Sequence, residues 1–129
     1  MLYVHLAILL ALVEFVVFGF AVARARTRYN VPAPAVSGHE VFERYFRVQM
    51  NTLEQLVVFL PAILLFGRYV SAPVAAALGA LFIIGRALYF QGYVRAAEKR
   101  HIGFGLSAFP NLALLVGALL GVLRVLLSS

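Results

Sequence analysis

Four stretches of this chain are apolar over about the length that a helix needs to cross a lipid bilayer, which is roughly 20 residues. They cover residues 2–23, 43–67, 74–93 and 109–127. With 64% hydrophobic and 12% charged side chains, the chain has more apolar surface than a water-soluble fold could bury. The sequence therefore predicts a single domain over residues 1–129. This domain is an all-α integral membrane bundle of four transmembrane helices, because a helix satisfies its own backbone hydrogen bonds in lipid.

Basic side chains are distributed unequally between the two ends of the predicted bundle. The connections after the first and third spans, with their flanks, carry most of them: Arg24, Arg26, Arg28, Arg44, Arg47, Arg95, Lys99 and Arg100. The opposite end has Arg68 and Arg124. The positive-inside rule predicts that the two basic connections face the cytoplasm and that both termini lie on the far side. The preference for arginine over lysine favours a bacterial inner membrane.

The composition excludes several classes of site. The net charge of +6 lies in short segments between apolar spans, where anionic headgroups or an acidic ligand are better partners than nucleic acid. There is no cysteine, so any sulfur chemistry has to come from a ligand. His5, His39 and His101 lack the spacing of metal ligands, so no metal site is predicted. Glu14, inside the first span, is expected to pair with an arginine of a neighbouring helix.

The second span begins with an unusually polar face. Glu43, Arg47, Asn51 and Glu54 follow one another at spacings of four, four and three residues, which places them along one stripe of a helix. Charged groups facing lipid are costly, so this stripe is expected to face the bundle interior or a neighbouring subunit. An ion pair between Arg47 and Glu54 that only holds helices together is one interpretation. Binding of an anionic ligand is the other, because guanidinium groups match carboxylates in bidentate geometry.

The end of the third span carries a second polar stripe. Arg86, Phe90, Tyr93 and Arg100 recur at helical spacing, with Tyr89 beside them, so we predict arginine and tyrosine side chains along one side of this helix. Tyrosines near a bilayer surface also form the aromatic belt of membrane proteins, which is the alternative interpretation. Both polar stripes are predicted to lie at the same, cytoplasmic end.

Two segments, FERYFRVQMNTLEQ and RALYFQGYVRAAEKR, resemble the signature stretches of the superfamily of membrane-associated proteins in eicosanoid and glutathione metabolism (MAPEG). The resemblance implies a homotrimer that binds glutathione between adjacent subunits near the cytoplasmic face. It also implies roles for eight positions: Arg100 stabilises the thiolate, and the glutathione contacts are Arg26, Arg47, Gln49, Asn51, Glu54, Tyr89 and Tyr93. Leukotriene-forming members have a second arginine where this chain has Thr27, so leukotriene synthesis is not expected unless Arg28 takes that place.

The function implied by the resemblance is a membrane-bound, detoxifying glutathione transferase. Glutathione would be its co-substrate, and its other substrates would be hydrophobic electrophiles that arrive from the membrane lipid, with lipid hydroperoxides as a further class. The alternative is a non-enzymatic lipid-binding scaffold of the same fold. A small transporter or channel subunit is a third hypothesis, which Arg86 in the third span keeps open.

Overall fold

The protein is a bundle of four long helices. The computed structural model describes residues 1–129, the side chain of Ala97 excepted. The helices are α1 (Leu2–Tyr29), α2 (Glu40–Tyr69), α3 (Ala72–Arg95) and α4 (His101–Ser128), and a 3₁₀ turn (Ala97–Arg100) precedes α4. Each helix is long and apolar enough to cross a membrane. The predicted all-α, four-span membrane fold is thereby confirmed.

All four helices extend beyond the predicted spans, α1 and α4 by the most. Helix α1 continues past Ala23 to Tyr29 and ends where Asn30 adopts a left-handed conformation, with φ 55°. Nothing between these residues breaks a helix, and the prolines that do so come only after Asn30. Helix α4 begins at His101 rather than near Phe109. Its first turns contain small residues that are poor signals of a span but allow close packing against α3.

The start of α2 is fixed by side chains that flank it. His39 accepts a hydrogen bond at Nδ1 from the amide of Val41, at 3.1 Å. The carboxylate of Glu43 accepts one from the amide of Gly38, at 3.2 Å. Both contacts satisfy amides at the N-terminus of a helix, which have no partner inside the helix itself. Glu43 thus makes a contact within its own subunit, at the start of α2.

The apolar core fills the middle of the bundle and the half nearer the termini. Phe59 of α2 stacks on Phe82 of α3, with ring centroids 4.1 Å apart, and Ile63 and Leu114 are fully buried beside them. Glu14 of α1 reaches into this interior. Within the described part of the chain its side chain forms no ion pair, and one of its carboxylate oxygens is buried without a hydrogen bond. The charge that acts on Glu14 is that of Arg86 on α3, so the expected arginine is present on a neighbouring helix, but the two side chains form no direct ion pair in the described part of the chain.

Glycines bring α3 and α4 into close contact. A Cβ atom added at Gly103 would overlap the backbone nitrogen of Tyr89, and one added at Gly85 would lie 2.6 Å from the backbone nitrogen of Ser107. Small residues at a helix crossing allow backbones in a membrane to approach closely. This packing sets the position of the first turns of α4 relative to Tyr89.

Both basic connections lie at the same end of the bundle. Arg44, in the first turns of α2, donates hydrogen bonds to the backbone carbonyl of Arg95 at 2.9 Å and to the carboxylate of Glu40 at 2.7 Å. The guanidinium group thus satisfies a carbonyl at the C-terminus of α3, where cations are favoured. The contact joins the start of α2 to the end of α3 and places the polar stripes side by side.

Candidate functional site

A cleft of about 550 Å³ opens between α2, α3 and the start of α4, at the end that carries the two basic connections. We refer to it as the polar cleft. Its lining combines two arginines, one carboxylate, an amide, two tyrosines and a histidine with two apolar side chains: Arg47, Met50, Asn51, Glu54, Tyr89, Tyr93, Arg100, His101 and Phe104. Six of the eight predicted site residues are in this set.

Helix α2 contributes the charged side of the polar cleft. Arg47, Asn51 and Glu54 share one face of the helix, as their spacing predicts, and all three line the cleft. Arg47 and Glu54 are exposed, and in the described part of the chain they form no ion pair with each other. The alternative that these two residues only hold the bundle together therefore lacks the contact that it requires. A cation and an anion on one face are instead accessible to a ligand.

Arg100 reaches the polar cleft by a route that the sequence did not predict. It does not continue the stripe of α3, because that helix ends at Arg95 and Ala96 is extended, with φ −163°. The chain then folds back across α3. Gly92 makes this possible, since a Cβ atom there would overlap the carbonyl oxygen of Lys99. As a result, the guanidinium carbon of Arg100 lies 5.9 Å from the ring centroid of Tyr93.

The tyrosines of α3 form the inner side of the polar cleft. Tyr89 is buried and Tyr93 is half-buried, with their ring centroids 5.4 Å apart. Phe104, on the first turns of α4, packs against Tyr89 at 6.1 Å between centroids. These contacts restrain the orientation of the rings. The tyrosines are thus part of a packed cluster that faces the cleft rather than isolated members of an aromatic belt.

A fully buried arginine lies directly beneath the polar cleft. The guanidinium of Arg86 donates hydrogen bonds to Asn51 Oδ1 at 2.7 Å, to Thr52 Oγ1 at 3.1 Å and to Ser107 Oγ at 3.1 Å. Its central carbon also lies 4.2 Å from the ring centroid of Tyr89. Arg86 keeps the helical spacing that the sequence predicts, but it does not line the polar cleft with Tyr93 and Arg100. It points inward and joins α2, α3 and α4.

The bond from Arg86 determines which group Asn51 offers to the cleft. An amide has one acceptor oxygen and two N–H donors. Because the oxygen of Asn51 already accepts from a charged donor at 2.7 Å, its N–H groups remain for a ligand. Together with Arg47, Arg100 and the charge of Arg86 below, the cleft provides donors for an acidic ligand. Glu54 provides one acceptor for a cationic group.

Two predicted site residues lie elsewhere in the subunit. Arg26 donates to the backbone carbonyl of Ala35 at 2.6 Å and lies over the ring of Phe42, with 4.9 Å from the guanidinium carbon to the centroid. Gln49 points toward α1, where its amide nitrogen lies beside Gly19. Both side chains are on the α1–α2 side of the bundle, away from the polar cleft. Arg28 does not reach the polar cleft either and lines another cleft, beside α1.

Three cleft residues were not predicted from the sequence. His101 and Phe104 come from the first turns of α4, a segment that the sequence suggested to be a connection. Met50 precedes Asn51 on α2, and an apolar side chain in a membrane helix gives no indication in the sequence that it lines a site. The signal that could have found the first two is the run of small residues at 103, 105 and 107, which marks a tightly packed helix start.

Fold and site together define an integral, multi-pass membrane protein with a polar cleft at one end of a four-helix bundle. The sequence profile of the MAPEG family matches residues 3–120, and the chain belongs to that family.

Three relatives illustrate this membership. The chain is 50% identical to the uncharacterized protein sll1147 of Synechocystis sp. over 114 residues, which is 88% of this chain and 83% of the relative. It is 46% identical to microsomal glutathione S-transferase 2 of Mus musculus over 105 residues, covering 81% of this chain and 71% of the relative. It is 36% identical to leukotriene C4 synthase of Mus musculus over 106 residues, covering 82% of this chain and 71% of the relative.

Proposed function

We propose that the protein is a membrane-bound glutathione transferase that joins glutathione to hydrophobic electrophiles and reduces lipid hydroperoxides with the same thiolate. One observation carries this proposal: Arg47, Asn51, Glu54, Tyr93 and Arg100 line a single cleft. The similarity to microsomal glutathione S-transferase 2 and to leukotriene C4 synthase supports it.

The chemistry of the polar cleft matches the charges of glutathione. The tripeptide has two carboxylates and one ammonium group, so its site needs fixed cations, an anion and hydrogen-bonding groups. Arg47 and the N–H groups of Asn51 are suited to a carboxylate, and Glu54 is suited to the ammonium group. The hydroxyl group of Tyr93, which is half-buried in the lining of the cleft, remains for a peptide bond, whereas the side chain of Tyr89 is hydrogen-bonded to Arg86. The volume of about 550 Å³ is in the range of a small-molecule site.

Arg100 is the proposed catalytic residue. A free thiol has a pKa of about 8.5, and a nearby guanidinium group lowers that pKa by stabilising the thiolate. Arginine stays protonated, so it cannot take the thiol proton itself, and the proton leaves to water at the open side of the cleft. The thiolate sulfur then attacks the electrophilic carbon. A carbon–sulfur bond forms, and the leaving group, or the opened ring oxygen, takes the electron pair.

The hydroperoxide reaction begins from the same thiolate. Its sulfur attacks the terminal peroxide oxygen, the oxygen–oxygen bond breaks, and the lipid alcohol leaves after taking a proton. The product is a sulfenic acid of glutathione. A second glutathione attacks this sulfur and forms the disulfide and water, so that two thiols are oxidised for each hydroperoxide reduced.

The hydrophobic substrate has a suitable place next to the polar cleft. An apolar groove of about 470 Å³ lies between α2 and α4, and Val57, Pro61, Leu115 and Leu119 contribute to its lining. On α2 it begins one helical turn beyond Glu54, so it lies on the same two helices as the polar cleft. Val57 and Leu119 are exposed, which makes the groove open to lipid. We therefore propose that electrophiles enter from the bilayer.

A homotrimer would complete the site. Arg26 and Gln49 lie on the α1–α2 side of a subunit, whereas the polar cleft opens between α2, α3 and α4. A neighbouring copy that presents its α1–α2 side to the cleft would bring both residues to the bound glutathione. The basic connections, and with them the site, would face the cytoplasm, in agreement with the positive-inside rule. A bacterial inner membrane is the proposed location.

The proposal is tested by separating catalysis from binding. Arg100→Ala should lower kcat by about a hundredfold, the usual cost of removing one donor that stabilises developing charge, while glutathione binding changes much less. Arg95→Ala is the matched control, because Arg95 is exposed at the same end and does not line the cleft. Turnover with a model electrophile gives kcat, and equilibrium dialysis in detergent gives glutathione binding. Unchanged turnover in Arg100→Ala would exclude its role, and no binding by the unmodified protein would favour the lipid-binding scaffold.

A further inference from the structure

A second cleft lies beside α1, at the same end of the bundle as the polar cleft. Its volume is about 430 Å³, and it is bounded by the last turns of α1, by Tyr45 of α2 and by Phe90 of α3. We refer to it as the lateral cleft. It shares no lining residue with the polar cleft among the described side chains, and the proposed function makes no use of it.

Two cations line the lateral cleft without an acidic partner. Arg24 and Arg28 are one helical turn apart on α1, so their Cβ atoms are roughly 5–6 Å from each other. Both are exposed, and in the described part of the chain neither forms an ion pair and no carboxylate lines the cleft. The contact found for Arg28 is with the ring of Tyr29, at 5.6 Å. Adjacent guanidinium groups of this kind form a binding site for a phosphate.

The polar and apolar parts of the lateral cleft are arranged along the membrane normal. Val17 and Phe20, further into the membrane on the same helix, are 55% and 71% exposed. Phe20 lies four residues before Arg24, a distance of about 6 Å along the helix axis. Tyr29 and Tyr45 line the cleft together with the arginines, and the ring of Tyr29 lies against Arg28. The cleft thus has cations and hydroxyl groups toward the membrane surface and apolar side chains toward the hydrocarbon.

This arrangement complements one class of molecule. An anionic phospholipid has a phosphate at the depth of the arginines and acyl chains at the depth of Val17 and Phe20. We propose that the lateral cleft is a binding site for one anionic phospholipid. Arg24 and Arg28 hold its phosphate, the hydroxyl groups of Tyr29 and Tyr45 contact the polar headgroup, and one acyl chain lies along α1.

The absence of tryptophan from the sequence allows a direct test. A Phe20→Trp variant has a single tryptophan, which lies within the lateral cleft and can be excited selectively, and brominated acyl chains quench tryptophan on contact. The protein is reconstituted into vesicles of phosphatidylglycerol and phosphatidylcholine in which either one or the other lipid is brominated. The expected result is a preference for phosphatidylglycerol of about fivefold or more, the factor that one cationic side chain near an anionic surface provides.

Matched variants distinguish a specific lipid-binding site from nonspecific contact between the protein surface and the surrounding lipid. Phe109→Trp places the fluorophore on an exposed position of α4, at a similar distance from the basic end, and should show almost no preference. In the Phe20→Trp background, replacing Arg24 and Arg28 by glutamine should remove the preference, and replacing both by lysine should retain most of it. Size-exclusion chromatography shows that each variant remains folded.

Three results would overturn the proposal. The first is equal quenching by the two lipids at Phe20→Trp, and the second is a preference that persists in the glutamine variant. The third is no quenching by either lipid, because the cleft would then be covered by another copy of the chain. None of these results depends on glutathione chemistry.

Discussion

The buried guanidinium of Arg86 provides the most informative perturbation. Its bond to Asn51 Oδ1, at 2.7 Å, orients an amide that lines the polar cleft, while Arg86 itself is fully buried and does not contact a ligand there. Arg86→Met keeps the length and apolar stem of the side chain but removes every donor. Asn51 would then be able to turn its amide, and the ligand would lose a fixed donor.

The size of the change in glutathione affinity caused by Arg86→Met follows from the hydrogen bonds that are lost. A hydrogen bond to a charged group contributes about 1.5–3 kcal/mol, so the loss of one well-oriented donor for a carboxylate should raise the Kd for glutathione by at least about tenfold. The effect on stability should be smaller. Three interhelical hydrogen bonds are lost, at about 0.6 kcal/mol each in a membrane bundle, but a costly buried charge disappears with them.

Isothermal titration calorimetry in detergent measures the change in Kd, and thermal unfolding reports the stability. Thr52→Val is the matched control: it removes the Thr52 hydroxyl, to which Arg86 donates at 3.1 Å, and leaves Asn51 in place, so glutathione binding should be unchanged. The decisive comparison is a double-mutant cycle. If Arg86 acts through Asn51, Arg86→Met should have no further effect on Kd in an Asn51→Ala background. Two results would refute this reasoning. One is that Arg86→Met raises the Kd for glutathione by the same factor in the Asn51→Ala background as in the unmodified protein. The other is a folded Arg86→Met variant whose Kd for glutathione is unchanged.

Three further predictions concern packing, ligand charge and the electrophile. Gly103→Ala should destabilise the bundle strongly, because the new methyl group overlaps the backbone of Tyr89, whereas Gly105→Ala, with open space around it, should leave thermal unfolding almost unchanged. Arg47→Gln should raise the Kd for glutathione about tenfold in calorimetry without a loss of stability, since Arg47 is exposed; equal Kd values would contradict its role. Leu119→Trp should raise the KM for a hydrophobic electrophile severalfold but not the Kd for glutathione, and an unaffected KM would place the electrophile elsewhere.

The number of spans and the membrane character of the fold could be predicted because they depend on local composition. A stretch such as residues 74–93 has to be helical in lipid whatever its neighbours are, and α3 indeed covers it. The stripe on α2 could be predicted for the same reason. Arg47, Asn51 and Glu54 lie within one regular helix, where a period of 3.6 residues determines which side chains share a face.

The remaining part of the site depends on contacts between segments. Arg100 reaches the cleft because the chain folds back at Gly92, and the helical period of α3 gives no information beyond the point where that helix ends. Arg86 belongs to the same helical stripe by spacing, yet its acceptors, Thr52 and Ser107, come from other helices. Such partners become visible only when the helices are packed together. The place of His101 in the cleft could not be predicted, because the point at which α4 begins depends on the packing of α4 against α3.

The most direct test of the proposed function is the ionisation of glutathione in the polar cleft. An ultraviolet difference spectrum, recorded as glutathione is added to the purified protein at neutral pH, reports thiolate formation. We expect a thiolate band that saturates with glutathione in the unmodified protein and is strongly reduced in Arg100→Ala at the same occupancy. Bound glutathione without a thiolate band, or an equal band in Arg100→Ala, would contradict the account.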